Sequence, residues 1–130
     1  MSFQIETERL ILRDLREDDL PTLVRYSLEP ESFKMVLKKQ RTEEHNQYFY
    51  ENALVWAKHL ENEARREFYA LVVERKGDKT VVGSCNLSNV KPKSYDAHIG
   101  WHYGYEYRNN GYATEAARGL LRIGFEINDV

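Results

Sequence analysis

A single cysteine, Cys85, excludes an internal disulfide framework and any zinc site built from several thiolates. No apolar run approaches the roughly 18 residues that a membrane span needs. The opening MSFQIETERL lacks the basic-then-apolar order of a secretory leader. A cytoplasmic protein with no membrane partner is expected. An excess of one charge is missing too: 19 lysines and arginines face 21 acids, and neither half of the chain departs far from balance. The field that draws a protein to nucleic acid is therefore absent, and no nucleic-acid partner is expected. There is no H-E-x-x-H, Walker A or G-x-G-x-x-G pattern, and no internal repeat. His45 and His59 stand about four turns apart on one helix, too far for one metal, and no metal is expected.

What remains is a chain of 130 residues, 42% apolar and 31% charged, the profile of one folded domain over 1–130. Residues 10–16 alternate as a strand, with Leu10, Leu12 and Asp14 on one side and Ile11, Arg13 and Leu15 on the other. The run Glu17-Asp18-Asp19-Leu20-Pro21 then reads as a helix start. Leu20, Leu23, Val24 and Leu28 carry that helix to Pro30. Residues 31–42 are polar and basic, a loop or short helix. A second helix is expected from about His45 to Arg66, its core stripe running Phe49, Ala53, Trp56, Ala57, Leu60, Ala64.

The period then changes from helical to alternating. Residues 67–75 and 80–90 read as strands joined by a hairpin at Lys76-Gly77-Asp78-Lys79. In the second of these, Val81, Gly83, Cys85 and Leu87 share a face. After a turn at 91–94, residues 96–103 form a third strand with Ile99, Trp101 and Tyr103 opposite His98, Gly100 and His102. A last helix runs through Ala113, Ala116, Leu120, Leu121, Gly124 and Ile127. Consecutive strands flanked by helices predict an α+β (mixed α/β) fold, an antiparallel meander with helices packed on it.

Chemistry concentrates where the third meander strand turns into that last helix: Arg108-Asn109-Asn110-Gly111-Tyr112-Ala113-Thr114-Glu115. A helix start presents unpaired backbone amides and the positive end of the helix dipole, a ready site for phosphate. Gly111 and Ala113 leave the backbone open to close approach, and Arg108 adds a cation at the rim. The pattern R-x-x-G-x-A is short, and a plain helix start is the alternative; its place after a meander gives it weight. The run Tyr103-Gly104-Tyr105 with Tyr107 and Arg108 has a faint likeness to the aromatic strand of RNA-binding RRM domains, without that motif's basic start.

The segment HIGWHYGYEYRNNGYATEAARGLLRIGFE resembles the cofactor-binding segment of the GCN5-related N-acetyltransferases, above all the RimJ/RimL-type branch. Ile99-Gly100, Glu106-Tyr107 and Gly111-Tyr112-Ala113-Thr114-Glu115-Ala116 carry the likeness, and TERLILRDLREDDL at 7–20 is similar to that branch's first strand and helix. The resemblance implies a GNAT-like (acyl-CoA N-acyltransferase) fold and acetyl transfer from acetyl-CoA to a primary amine, a protein N-terminus being the leading acceptor. It places the pyrophosphate on the backbone of Arg108, Asn109, Asn110, Gly111, Tyr112, Ala113 and Thr114. It places the pantetheine arm beside the strand end at Tyr103, with a nearby backbone amide facing the developing oxyanion.

His98, where related sequences often carry glutamate, and His102 on the same strand face are the candidate bases, against the plainer reading of ordinary inter-strand histidines. Glu106 and Glu115 are expected to shape the turn and helix start. The chain departs from the family at Asn110, where lysine or arginine is usual, and at His102-Tyr103, where Trp-Leu is common. Members also continue past the helix with a strand, a helix and a hairpin, so the domain is expected to lack the C-terminal part of the fold. An open sheet edge would follow, and with it a homo-oligomer, a dimer with shared elements. A catalytically incomplete relative that binds CoA or only self-associates is the other reading.

Overall fold

The computed structural model describes residues 3–30, 43–60, 66–88 and 97–127. Expectations for 31–42, for Ala64 and the helix end at 61–65, for the strand end at 89–90, for the turn at 91–94 and for residue 96 lie outside the described residues.

Among the described residues five strands form one sheet in chain order: β1 (Gln4–Glu6), β2 (Leu10–Asp14), β3 (Phe68–Arg75), β4 (Val81–Ser88) and β5 (His98–Tyr103). Every neighbouring pair is antiparallel. The helices described on it are α1 (Leu20–Ser27), α2 (Glu43–Leu60) and α3 (Tyr112–Arg122), the last running into a π-helical turn at Ile123–Ile127. The expected α+β meander is present. It gains β1, too short at three residues to announce itself by alternation.

Both faces of the sheet are covered. On one, Leu10, Leu12, Tyr69, Leu71, Val73, Val82, Cys85, Leu87 and Tyr103 meet Ala116, Leu120 and Ile123 of α3 and its extension. On the other, Leu15 and Val72 meet Leu20, Leu23 and Val24 of α1 and Tyr50 and Leu54 of α2. Because β3 lies between the two layers, its buried residues run continuously from Tyr69 to Val73, not in alternation.

Two sequence expectations are corrected here. The pairing of β3 with β4 steps from Val73↔Gly83 to Glu74↔Val81, leaving Val82 as an extra, bulged residue. Past that bulge the in–out order reverses, so Val82 joins Cys85 and Leu87, and Val81 packs on the opposite face. The face of α2 toward the core is Asn46, Tyr50, Leu54 and Ala57. Phe49 and Trp56, expected in the core, are each 51% exposed. The helix is turned by about one residue from the stripe the aromatics suggest, because the sheet accepts Tyr50 and Leu54 instead.

Asp14, read as part of a strand face, is a buried ion. Its carboxylate takes Arg66 Nη1 at 2.6 Å and Nη2 at 3.0 Å, and the Phe3 amide at 2.6 Å. The Arg66 guanidinium lies beside the rings of Phe3 and Tyr69.

Candidate active site

β5 is an edge strand, and its far edge meets no other strand among the described residues. Gly104 N–H donates to the Val82 carbonyl at 3.0 Å. Antiparallel alternation then turns the N–H and C=O of Tyr103 the other way, onto the open edge. The Tyr103 carbonyl accepts there from Arg108 Nη2 at 3.4 Å. The Tyr103 ring goes inward beneath α3; its hydroxyl is buried without a hydrogen-bond partner among the described residues, and burial pushes its pKa well up. What this residue offers a ligand is therefore its backbone.

After β5 the chain makes one tight turn at Tyr105–Tyr107 and then enters the polar loop. Asn109 (φ 66°) and Gly111 (φ 79°) are both left-handed. Asparagine tolerates that region, and glycine takes it without strain. Left-handed residues flanking Asn110 curl the backbone into the kind of concavity that gathers anions. Gly111 is the N-cap of α3 and makes no side-chain cap bond. The amides of the first helical turn have no carbonyl one turn back to bond, so they are available to an anion.

A cavity of about 480 Å³ opens at this point, lined by Trp101, His102, Tyr103, Tyr107, Arg108, Asn109, Gly111, Tyr112, Ala113 and Thr114. The structure thus brings together the predicted Tyr103, Arg108, Asn109, Gly111, Tyr112, Ala113 and Thr114 around one space. Asn110 does not line it. Its side-chain amide donates back to the carbonyls of Tyr107 at 3.0 Å and Arg108 at 3.1 Å, which holds the turn shut.

The two histidines separate. His98 is exposed at the start of β5, opposite Ser88. It lies five residues from Tyr103, about 16 Å along a strand. His102 borders the cavity and points toward α1, with Nε2 3.0 Å from the Tyr26 carbonyl. A ring nitrogen facing a carbonyl carries the proton, so in the neutral ring the lone pair is on Nδ1. Tyr26 is itself fixed, its hydroxyl donating to the Val81 carbonyl at 2.8 Å; burial raises its pKa to about 12.

Sequence reasoning missed Thr7 and Arg9. Both lie in the turn between β1 and β2 and bond Glu115 in the first turn of α3. The motif TERL contains them, but nothing local says that they meet a residue more than a hundred positions away.

The model of the acetyltransferase (GNAT) domain family matches residues 9–130, and the chain belongs to that family. An uncharacterized N-acetyltransferase p20 of Bacillus licheniformis is 28% identical over 119 residues, covering 92% of this chain and 64% of that protein. A GNAT-family acetyltransferase from Bacillus anthracis superposes with a TM-score of 0.72 at 24% identity, covering 95% of this chain and 67% of that one. RimL, a ribosomal alpha-N-protein acetyltransferase solved in complex with coenzyme A, superposes with a TM-score of 0.72 at 13% identity, covering 98% and 71%. The chain therefore spans a little under two thirds of the curated relative it matches.

Proposed function

We propose that this chain binds acetyl-CoA and transfers its acetyl group to a primary amine, a protein N-terminus being the acceptor class favoured. The observation that carries the reading is the uncapped N-terminus of α3 at Gly111, opening onto the same cavity as Tyr103, whose backbone N–H faces the outer edge of β5. The fit to the donor rests on that arrangement: amides without a cap suit a pyrophosphate, and an unpaired strand edge suits the amides of a pantetheine arm. Acetyl-CoA brings the activated thioester; the chain's own groups hold and orient it. The N–H of Tyr103 faces the open edge and is the candidate donor to the oxyanion. His102, which borders the cavity and is held by the Tyr26 carbonyl, is the candidate base for the amine proton, directly or through water. His98, at the far end of the strand, is a surface histidine in this reading.

The acceptor class draws support from the resemblance to RimJ/RimL-type enzymes and from RimL among the structural neighbours. A cytoplasmic location belongs to the same reading, as does a homodimer that covers the open edge of β5. A second reading is favoured by that edge itself: CoA is bound without turnover until another element completes the cleft.

The test is calorimetric titration with acetyl-CoA of the parent and of Gly111→Glu, followed by a thiol-release assay with a peptide N-terminus and with a polyamine. Saturable binding by the parent that the variant loses is expected, because a glutamate there repels phosphate. Release of CoA dependent on the peptide supports the transferase. Binding without release supports the second reading, and a folded parent that binds nothing overturns both.

A further inference from the structure

Arg9 reaches the phosphate turn from the other end of the chain. Its own N–H and its Nε each donate to Glu115 at 2.7 Å, and the Thr7 hydroxyl donates to the same carboxylate. From the same guanidinium, Nη1 donates to the Asn110 carbonyl at 2.9 Å, and Cζ lies 4.7 Å from the centre of the Tyr112 ring. A Cβ on Gly111 would stand 3.2 Å from Nη2. One side chain thus spans the whole turn from Asn110 to Glu115. The backbone of Arg9 is tied down in its turn, its carbonyl accepting from Lys76 N–H at 2.9 Å.

Two consequences follow from elementary geometry. In a trans peptide the C=O and N–H point opposite ways. Fixing the Asn110 carbonyl on Arg9 therefore fixes the direction of the Gly111 N–H, away from Arg9. Glu115 is also an acid in the first turn of a helix, where its charge would compete with a bound anion for the amides. The bonds from Thr7 and Arg9 draw that charge to the side. Burial opposes ionisation of Glu115, but these bonds outweigh it and hold its carboxyl below the usual range.

We propose that Arg9 is a positioning residue for the donor: anchored on Glu115, it sets the Asn110–Gly111 peptide so that the amides opening α3 converge on the pyrophosphate. This rests on the reading of that turn as the CoA site. The role needs a fork, since Nε holds one group and Nη1 another; lysine keeps the charge and cannot make both bonds.

The experiment compares the parent with Arg9→Lys and Glu115→Gln. Amide ¹⁵N order parameters at residues 111–114 should fall from about 0.85 toward 0.6 in both variants, while Val72 and Val73 stay rigid. Affinity for CoA should fall about tenfold in both, and affinity for S-acetyl-pantetheine, which has no pyrophosphate, should hold. Order parameters in Arg9→Lys equal to the parent's overturn the proposal whatever CoA does. Tighter CoA binding by Glu115→Gln overturns it too, because a freed Arg9 would then be touching phosphate itself. A parent that takes up no CoA while the variants loosen the turn overturns the nucleotide reading and supports the hold of Arg9 on the turn.

Discussion

Arg13 and Asp19 meet inside the protein as a fork on a carboxylate, with Nη1 at 2.8 Å from one oxygen and Nη2 at 2.9 Å from the other. Both side chains are more than nine-tenths buried. Glu74 takes the remaining Nε at 3.1 Å, and Asp19 also accepts the Arg16 amide at 2.8 Å, tying β2 and β3 to the start of α1. Removing one member leaves the other charged and out of water. Asp19→Ala should cost about 3–5 kcal/mol in urea unfolding, and the apolar set Arg13→Met, Asp19→Leu and Glu74→Leu, which leaves no member of the network stranded, should recover most of it.

At Gly83 the close approach of β4 and β5 leaves no room for a side chain. A Cβ there would lie 2.5 Å from the His102 carbonyl and 2.6 Å from Tyr103 Cδ1. Backbone cannot swing aside as a side-chain tip can. Gly83→Ala should lower stability by about 1–3 kcal/mol. Gly77→Ala, with nothing within 4 Å of the new carbon, serves as the control and should stay within about 0.5 kcal/mol of the parent in the same denaturation series.

The sign of the pH effect at Glu115 follows from its depressed pKa. A carboxyl more acidic in the folded state than in the unfolded one stabilises the fold above its unfolded pKa, and that contribution is lost as pH falls through the folded value. The stability gap between the parent and Glu115→Gln should be full at pH 7 and should narrow as pH drops below about 4.3, the unfolded glutamate value. Urea midpoints measured at pH 7, 5 and 3.5 check it; a gap that widens on acidification contradicts it.

Cys85 is 3% exposed, and burial pushes its thiol up to about 12. The reactive species is the thiolate, so the native protein should be inert to a thiol-specific disulfide reagent at pH 8. Its modification rate at fixed reagent concentration should rise with urea in step with the unfolded population.

Where the sequence was readable, the reason is periodicity against a single partner. The helix that begins at Tyr112 meets one face of the sheet, and its pattern survives folding, with Ala116, Leu120 and Ile123 turned inward. For α2 the reading failed because two stripes overlap on that helix. Phe49 and Trp56 mark one apolar stripe and Tyr50 and Leu54 another, and the second is buried; only the position of β3 and α1 decides between them. A bulge has no composition, so Val81 and Val82 look alike until the register of β3 is known. At the site, the turn around Gly111 was legible from a glycine opening a helix. The hold of Arg9 upon it was not, since side chains 106 positions apart carry no local sign of their meeting.

That separation also sets an order on how the molecule comes to be finished. Thr7 and Arg9 are synthesised before four of the five described strands, and Glu115 only after all five. Contacts this remote in sequence close slowly, because the loop entropy comes before the reward. An emerging chain can fold its hairpins while the turn that opens α3 has no hold, and it acquires one only when the first described segment and the last have met. A ligand of that turn would therefore select chains in which these two segments have joined, and its uptake would report that joining more faithfully than the appearance of the sheet.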